Sequence, residues 1–175
     1  MIRADRVTLF PVLMFSLLGF AAVQKAQAGA APLPAEIAAA KRIFIANGGE
    51  DTRLNDFSGG SIRCYSQFYA AMKTWGKYDL VASPSDADLI AEIEFRNPPD
   101  AAGLHREGIA TYYYDPQFKL SLIDPKTHTT EWVFLEHADG AVLQRNRDKN
   151  FDSALARIVM DFKTLVSPNL SGGQP

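Results

Sequence analysis

Apolar and polar positions alternate most sharply between Phe118 and His137, FKLSLIDPKTHTTEWVFLEH. Phe118, Leu120 and Leu122 alternate with Lys119 and Ser121; further on, Trp132 and Phe134 share one face while Val133, Leu135 and His137 take the other. A two-residue period in aromatic and β-branched residues marks strands with one buried face. Asp124-Pro125 opens a turn between them, because the Asp carboxylate accepts from the backbone two residues on and Pro presets φ. The pattern predicts a hairpin, and a hairpin needs other elements to cover its apolar face.

The remaining elements are read from the same periodicities. Arg42-Ile43-Phe44-Ile45-Ala46 is a short apolar run, read as a central first strand that stops at the turn signal Asn47-Gly48-Gly49. A Gly-, Asp- and Asn-rich loop follows to Gly60. Ile62, Tyr65, Tyr69, Met72 and Trp75 then recur at helical spacing, with Ser61 placed to cap and Gly76 placed to terminate. Tyr78 to Val81 is a brief second strand, and Ser83-Pro84-Ser85-Asp86 a turn. In the third strand Leu89, Ala91, Ile93 and Phe95 face inward, with Glu92 and Glu94 outward. Asn97 to Glu107 is a loop carrying two prolines, and Tyr112-Tyr113-Tyr114 leads into the hairpin. From Asn150 to Val166, Phe151, Leu155, Ile158, Val159, Phe162, Leu165 and Val166 draw the widest helical stripe, with Asn150 as cap. Gln144 to Asn150, QRNRDKN, reads as a solvated lead-in to that helix.

Strand, helix, strand, strand, hairpin, helix: this order predicts an α+β two-layer sandwich. Its mixed, mostly antiparallel sheet of about five strands carries two main helices on one face. The opposite face, with Glu92, Glu94, Lys119 and Ser121, is polar enough to meet water or a wet partner.

The N-terminus adds an address. Arg3 and Arg6 precede the uncharged run Val7 to Val23, and Ala26-Gln27-Ala28 supplies the small residues a signal peptidase reads. Residues 1–28 are therefore expected to be a secretory signal, cut between Ala28 and Gly29, with Ala30 as a second site. The alternative is an uncleaved anchor, since roughly seventeen mostly apolar residues just span a bilayer. No cysteine follows the run to carry a diacyl group. The expected organisation is a linker over residues 29–41, one α+β domain over 42–166, and a loose tail over 167–175. Removing residues 1–28 takes three Lys/Arg and one acid with it, leaving 15 against 19 and a formal charge of −4. No basic patch marks a nucleic-acid partner. The one cysteine, Cys64, has no internal disulfide partner even in an oxidising compartment.

Several phrases carry a resemblance: RIFIANGG running into a Gly-rich loop, Lys77-Tyr78-Asp79-Leu80-Val81, Ala87-Asp88-Leu89-Ile90, Leu120-Ser121-Leu122-Ile123-Asp124, and the Asp148 to Ala154 opening of the last helix. Together they resemble the α/β domain shared by the curli-secretion lipoprotein, the penicillin-binding-protein activator LpoB and the TolB N-terminal domain. The resemblance spans roughly residues 42–166. The hairpin is also similar to small outer-membrane lipoprotein domains of unknown function, which place Asp, Thr and Trp as Asp124, Thr127 and Trp132 stand here. The lipid-bearing cysteine of most such proteins is absent, and the glycine that usually follows the hairpin Thr is His128. The resemblance implies an envelope assembly or accessory role and carries over no catalytic residue; the favoured reading is a soluble periplasmic module that binds an envelope protein or glycan, with no cofactor.

Candidate chemistry is sparse. Cys64 with His105, His128 or His137 would make a thiol nucleophile and base, and Asp51 with Asp56 a carboxylate pair; these define the alternative, a small periplasmic hydrolase or thiol enzyme. The histidines with Glu107, Glu131 and Glu136 show no metal-ligand spacing. Gly48-Gly49 and Gly59-Gly60 lack the Lys-Ser/Thr of a phosphate loop. Tyr112, Tyr113 and Tyr114 are the surface candidate, because tyrosine offers contact area at little entropic cost.

Overall fold

In the computed structural model, which describes residues 32–50, 57–100 and 113–167, a short helix α1 (Ala35–Ala39) precedes strand β1 (Arg42–Glu50). A single 3₁₀ turn, Gly60–Ile62, opens α2 (Arg63–Trp75). Then come β2 (Asp79–Leu80), β3 (Leu89–Arg96), β4 (Pro99–Asp100), β5 (Tyr113–Tyr114), β6 (Gln117–Ile123), β7 (Thr130–His137) and α3 (Gln144–Leu165). The main sheet runs β2-β1-β3-β6-β7, and β4 pairs with β5 in a separate ribbon. β1 is parallel to both β2 and β3, whereas β3, β6 and β7 form an antiparallel meander. This is the expected α+β architecture of a five-stranded mixed sheet with two main helices.

One sheet face is the core. Leu89, Ala91, Ile93 and Phe95 of β3 are fully buried, as are Phe118, Leu120 and Leu122 of β6. The alternation read from the sequence is therefore the observed one on both strands. Phe68 and Met72 of α2 and Phe151, Ile158 and Phe162 of α3 cover them. Phe95, Phe118 and Phe151 meet with ring centroids 4.5 to 4.8 Å apart, and Phe57 adds an edge contact to Phe95 at 5.3 Å. Such aromatic pairs contribute about 0.5–1.5 kcal/mol each beyond their buried area.

Several readings are corrected. β1 does not stop at Asn47 but continues to Glu50 through a bulge between Asn47 and Gly49. Asn47 Oδ1 accepts from the Gly49 N–H at 3.1 Å, and Gly49 takes φ 100°. Gly48 lies so near β3 that a Cβ there would stand 3.0 Å from Glu92 Cγ and 3.2 Å from the Ile93 carbonyl oxygen. These glycines permit pairing here rather than ending it. On α2 the buried stripe is Cys64-Phe68-Met72, with Ile62 exposed and Tyr65, Tyr69 and Trp75 on its flanks. The tyrosines show the stronger period, but a phenol favours a half-wet flank over the centre. The helix N-cap is Ile62, not Ser61; Gly76 does close it, in the left-handed region with its N–H on Met72 O.

The last helix begins at Gln144, six residues before Asn150, whose side chain instead donates to Asp139 O at 2.8 Å. Its first two turns are rich in Gln, Arg and Lys, good helix formers with no apolar period to betray them. In the loop after β3, Pro99–Asp100 is a strand that pairs with Tyr113–Tyr114. Within residues 29–41, α1 places Ile37 in the core at 1% exposure.

The hairpin turn is built as its residues suggest. Asp124 accepts from Lys126 N at 2.9 Å and Thr127 Oγ1 at 2.8 Å, bonds that hold its carboxyl below the usual range. His128 follows with φ 58°, where a side chain is strained. His128→Gly should therefore raise stability by about 0.5–1 kcal/mol, the left-handed cost less glycine's extra entropy. Urea unfolding measures it, and a loss of stability would refute the account. Tyr78 is stacked on Phe162 with its hydroxyl buried and without a partner among the described residues, and burial pushes its pKa up to about 12. An unpartnered buried hydroxyl costs on the order of 1–3 kcal/mol. Tyr78→Phe should be as stable as the parent or more so in the same assay; a clear loss would mean the hydroxyl has a role.

Candidate functional site

The helices take one face of the main sheet, and no described helix covers the other. Strand register arranges that second face in rows. Arg96, Gln117 and His137 lie opposite one another at one end; Glu94, Lys119 and Leu135 come next, then Glu92, Ser121 and Val133. Phe44, Ile90 and Ile123 form a further row. Lys119 Nζ stands 3.8 Å from Glu94 Oε2. The four polar residues read from the sequence share this face as expected, but apolar side chains occupy much of the rest. Val133 and Leu135 are 44% and 50% exposed. The surface is therefore amphipathic.

A polar group gathers at the Arg96 end. Asp115 Oδ1 lies 2.8 Å from His137 Nδ1, and Gln117 Nε2 reaches Asp115 Oδ2 at 3.5 Å. Asp115 N donates to Pro98 O at 3.1 Å, so this group adjoins the β4–β5 ribbon. Arg96 Nε and Asn97 Oδ1 are buried here with no hydrogen-bond partner among the described residues. Tyr113 and Tyr114 form β5 of that ribbon rather than an edge of the main sheet; Tyr112 lies outside the described residues.

A second polar cluster binds the layers together. Asp148 accepts from Ser58 N at 2.8 Å, Ser58 Oγ at 2.7 Å and Arg63 Nη1 at 2.9 Å. Arg63 Nη2 reaches Asp152 Oδ1 at 2.6 Å, and its guanidinium lies 4.3 Å from the centroid of Phe151. The Ser58 hydroxyl and amide, with Arg63 and Gln144 behind them, hold the Asp148 carboxyl down to about 2. No sequence signal announces this group, because its members stand 85 to 90 positions apart. Asp88 is held in the same manner: Arg42 Nη2 and the Lys41 and Arg42 amides donate to it, and its pKa falls well below the carboxylate range.

The remaining candidates are dispersed. Cys64 is 2% exposed among core residues on the inner side of α2. His128 is at the hairpin turn, and His137 pairs with Asp115 at the far end of β7. Glu136 meets Arg157 Nε at 2.9 Å. His105, Glu107, Asp51, Asp56 and the cleavage pair Ala28 and Gly29 lie outside the described residues. Among the described residues no three His, Cys, Asp or Glu converge as metal ligands, and no helix is long and apolar enough to cross a membrane. One hollow of about 710 Å³ is an open shelf along α3 alone, including Gln144, Asp148 and Asp152. Another of about 380 Å³ brings Glu36, Asp88, Asp124 and Lys126 together beside α1.

No family model matches this sequence, and no curated protein does. Among solved structures the chain is similar to a PelC dodecamer from Paraburkholderia phytofirmans. The identity is 13% over 73% of this chain and 89% of that one, with a TM-score of 0.45. It is similar to uncharacterized lipoprotein B from Nitrosomonas europaea at 11% identity, covering 77% and 87% of the two chains, TM-score 0.40. A DUF330 protein from Xanthomonas campestris gives 11% identity, 73% and 84% coverage, and a TM-score of 0.42. None of these three is named as a curli-secretion, LpoB or TolB protein.

Asp148→Asn should lower stability at neutral pH by about 1–2 kcal/mol, the usual value of bonds to a charged group discounted for partial exposure. Because the folded pKa is depressed, the carboxylate's contribution is complete above its unfolded pKa of about 3.9. It is lost as pH falls toward 2, so the gap between parent and variant should close over that window. Urea unfolding at several pH values measures this; a constant gap would show that the charge is not involved.

Proposed function

We propose that this protein is a non-catalytic binding or accessory module of the bacterial cell envelope, exported to the periplasm. It engages an envelope protein or a glycan through the open face of its sheet. The observation that carries this reading is the amphipathic face itself. Ionic and apolar side chains lie in ordered rows on a rigid sheet, with Ser121 buried between them, a composition that suits a wet, specific interface. Exposed His137 offers a ring nitrogen at one end, Lys119 a cation beside it, and Val133 and Leu135 supply apolar area. The charged start, apolar run and small-residue site at Ala26-Gln27-Ala28 support export. Tyr113 and Tyr114 of β5 are the aromatic candidates for the same partner.

A photo-crosslinking residue at Lys119, on the open face, should capture one reproducible envelope protein or glycan in the living cell. The same residue at exposed Asp161, on α3, should not. Tyr113→Ala should weaken the capture without changing the melting temperature. Equal adducts from both sites, or none from Lys119, would reject the open face as the binding surface.

A further inference from the structure

The two edges of the main sheet differ. β2 ends one with two residues, whereas β7 leaves eight along the other. Ala138 N donates to Pro116 O at 2.7 Å, and this bond fixes which backbone groups of β7 are engaged. In an antiparallel ladder it flanks a pair without mutual hydrogen bonds, here Gln117 and His137. The alternation then turns the N–H and C=O of Trp132, Phe134 and Glu136 toward β6. Those of Val133, Leu135 and His137 point away from the sheet.

Exposed edges are ordinarily guarded by lysine, proline, an inward charge or a bulge. The stretch from Trp132 to Leu135 has none of the first three, and the register shift of β7 falls at Glu131, before it. Its two outward-directed residues are also its two exposed aliphatic ones.

We propose that β7 pairs antiparallel with β7 of a second copy of this chain, about a two-fold axis through Phe134. Outward groups can bond only to outward groups, so Val133 or Leu135 can face another odd-numbered residue but not Phe134. Three centres lie within the Val133–Leu135 segment. Centring on Val133 sets Glu131 against Leu135, and centring on Leu135 sets Val133 against His137; each buries a polar chain against an aliphatic one. Centring on Phe134 joins Val133 of each copy to Leu135 of the other through both backbone groups, with the aliphatic side chains adjacent on the open face. Beyond it the ladder reaches the irregularity at Glu131 on one side and His137, whose Nδ1 is already on Asp115, on the other. The His137 carbonyl accepts from Arg157 Nη2 at 2.8 Å, so the strongest part of the ladder is the Val133–Leu135 segment. The pairing joins two open faces into one longer surface and requires nothing of the partner proposed above.

The test is the mass in solution of the chain from residue 29 onward, which contains every core residue from Ile37 to Val166. Sedimentation should show a reversible, concentration-dependent dimer. Val133→Lys, a guard at an already exposed position, should abolish the dimer while circular dichroism is unchanged. Register is tested separately by oxidising cysteine variants. Val133→Cys combined with Leu135→Cys should give a covalent dimer, and either substitution alone should not, because like positions are then only diagonal neighbours. A monomer at every concentration together with no crosslink in the double variant overturns the proposal. So does a dimer that survives Val133→Lys, or a single-cysteine variant that crosslinks as readily as the double.

Discussion

The contact among Phe95, Phe118 and Phe151 is what the rest of this structure depends on. Phe95 and Phe118 come from adjacent strands and Phe151 from α3, so the three rings join sheet to helix layer at one point. All three are fully buried. Arg63 lies over the outer side of Phe151 and is the same residue that grips Asp148 and Asp152. The polar clamp between α2 and α3 is thus mounted on the aromatic junction. Ser58, held by Asp148, follows Phe57, whose ring also packs on Phe95 and Phe151. Apolar burial sets the layer spacing, and charge-assisted bonds fix the orientation of the segment preceding α2.

With both main helices on one side, the sheet has a polarity of its own. The covered side is apolar along β3 and β6, with Glu136 of β7 at its margin on Arg157 of α3; the other mixes acids, Lys119, Ser121 and aliphatic residues. The residues that would meet a partner stand on strands whose opposite side chains are locked in the core. Such a surface is held rigid without help from its own contacts, which keeps the entropic cost of binding low.

What the sequence makes legible follows from locality. The hairpin, β3, Gly76 and the α3 stripe are visible because their periods and turn residues are written within a few positions. The face carrying Glu92, Glu94, Lys119 and Ser121 was readable for the same reason, since alternation assigns both sides of a strand at once. The continuation of β1 through Gly48 and Gly49 is hidden, because its cause is the proximity of β3, some 44 positions on for Gly48 and Glu92. The first turns of α3 are hidden because they have no apolar face. The Arg63–Asp148 clamp and the buried Arg96 Nε are tertiary facts with no local spelling. Tyr112 to Tyr114 illustrates an intermediate case: the extended backbone at Tyr113–Tyr114 is a property of the residues, but its membership of a small ribbon depends on where Pro99 and Asp100 run.

The position of β1 has a consequence for how the chain acquires its fold. It lies between β2 and β3, both of which follow it in the chain, and pairs Arg42 with Asp79 and Ile43 with Leu89. The separations are 37 and 46 residues, whereas β6 and β7 are joined by a short turn. Loop closure makes the hairpin the early event, formed within about 1–10 μs, and the parallel pairings the late one. A chain that emerges N-terminus first must therefore keep the apolar Ile43 and Ile45 unpaired until residues beyond Leu89 have arrived. The interval in which β1 waits for its neighbours is the time when this protein is most open to misassembly.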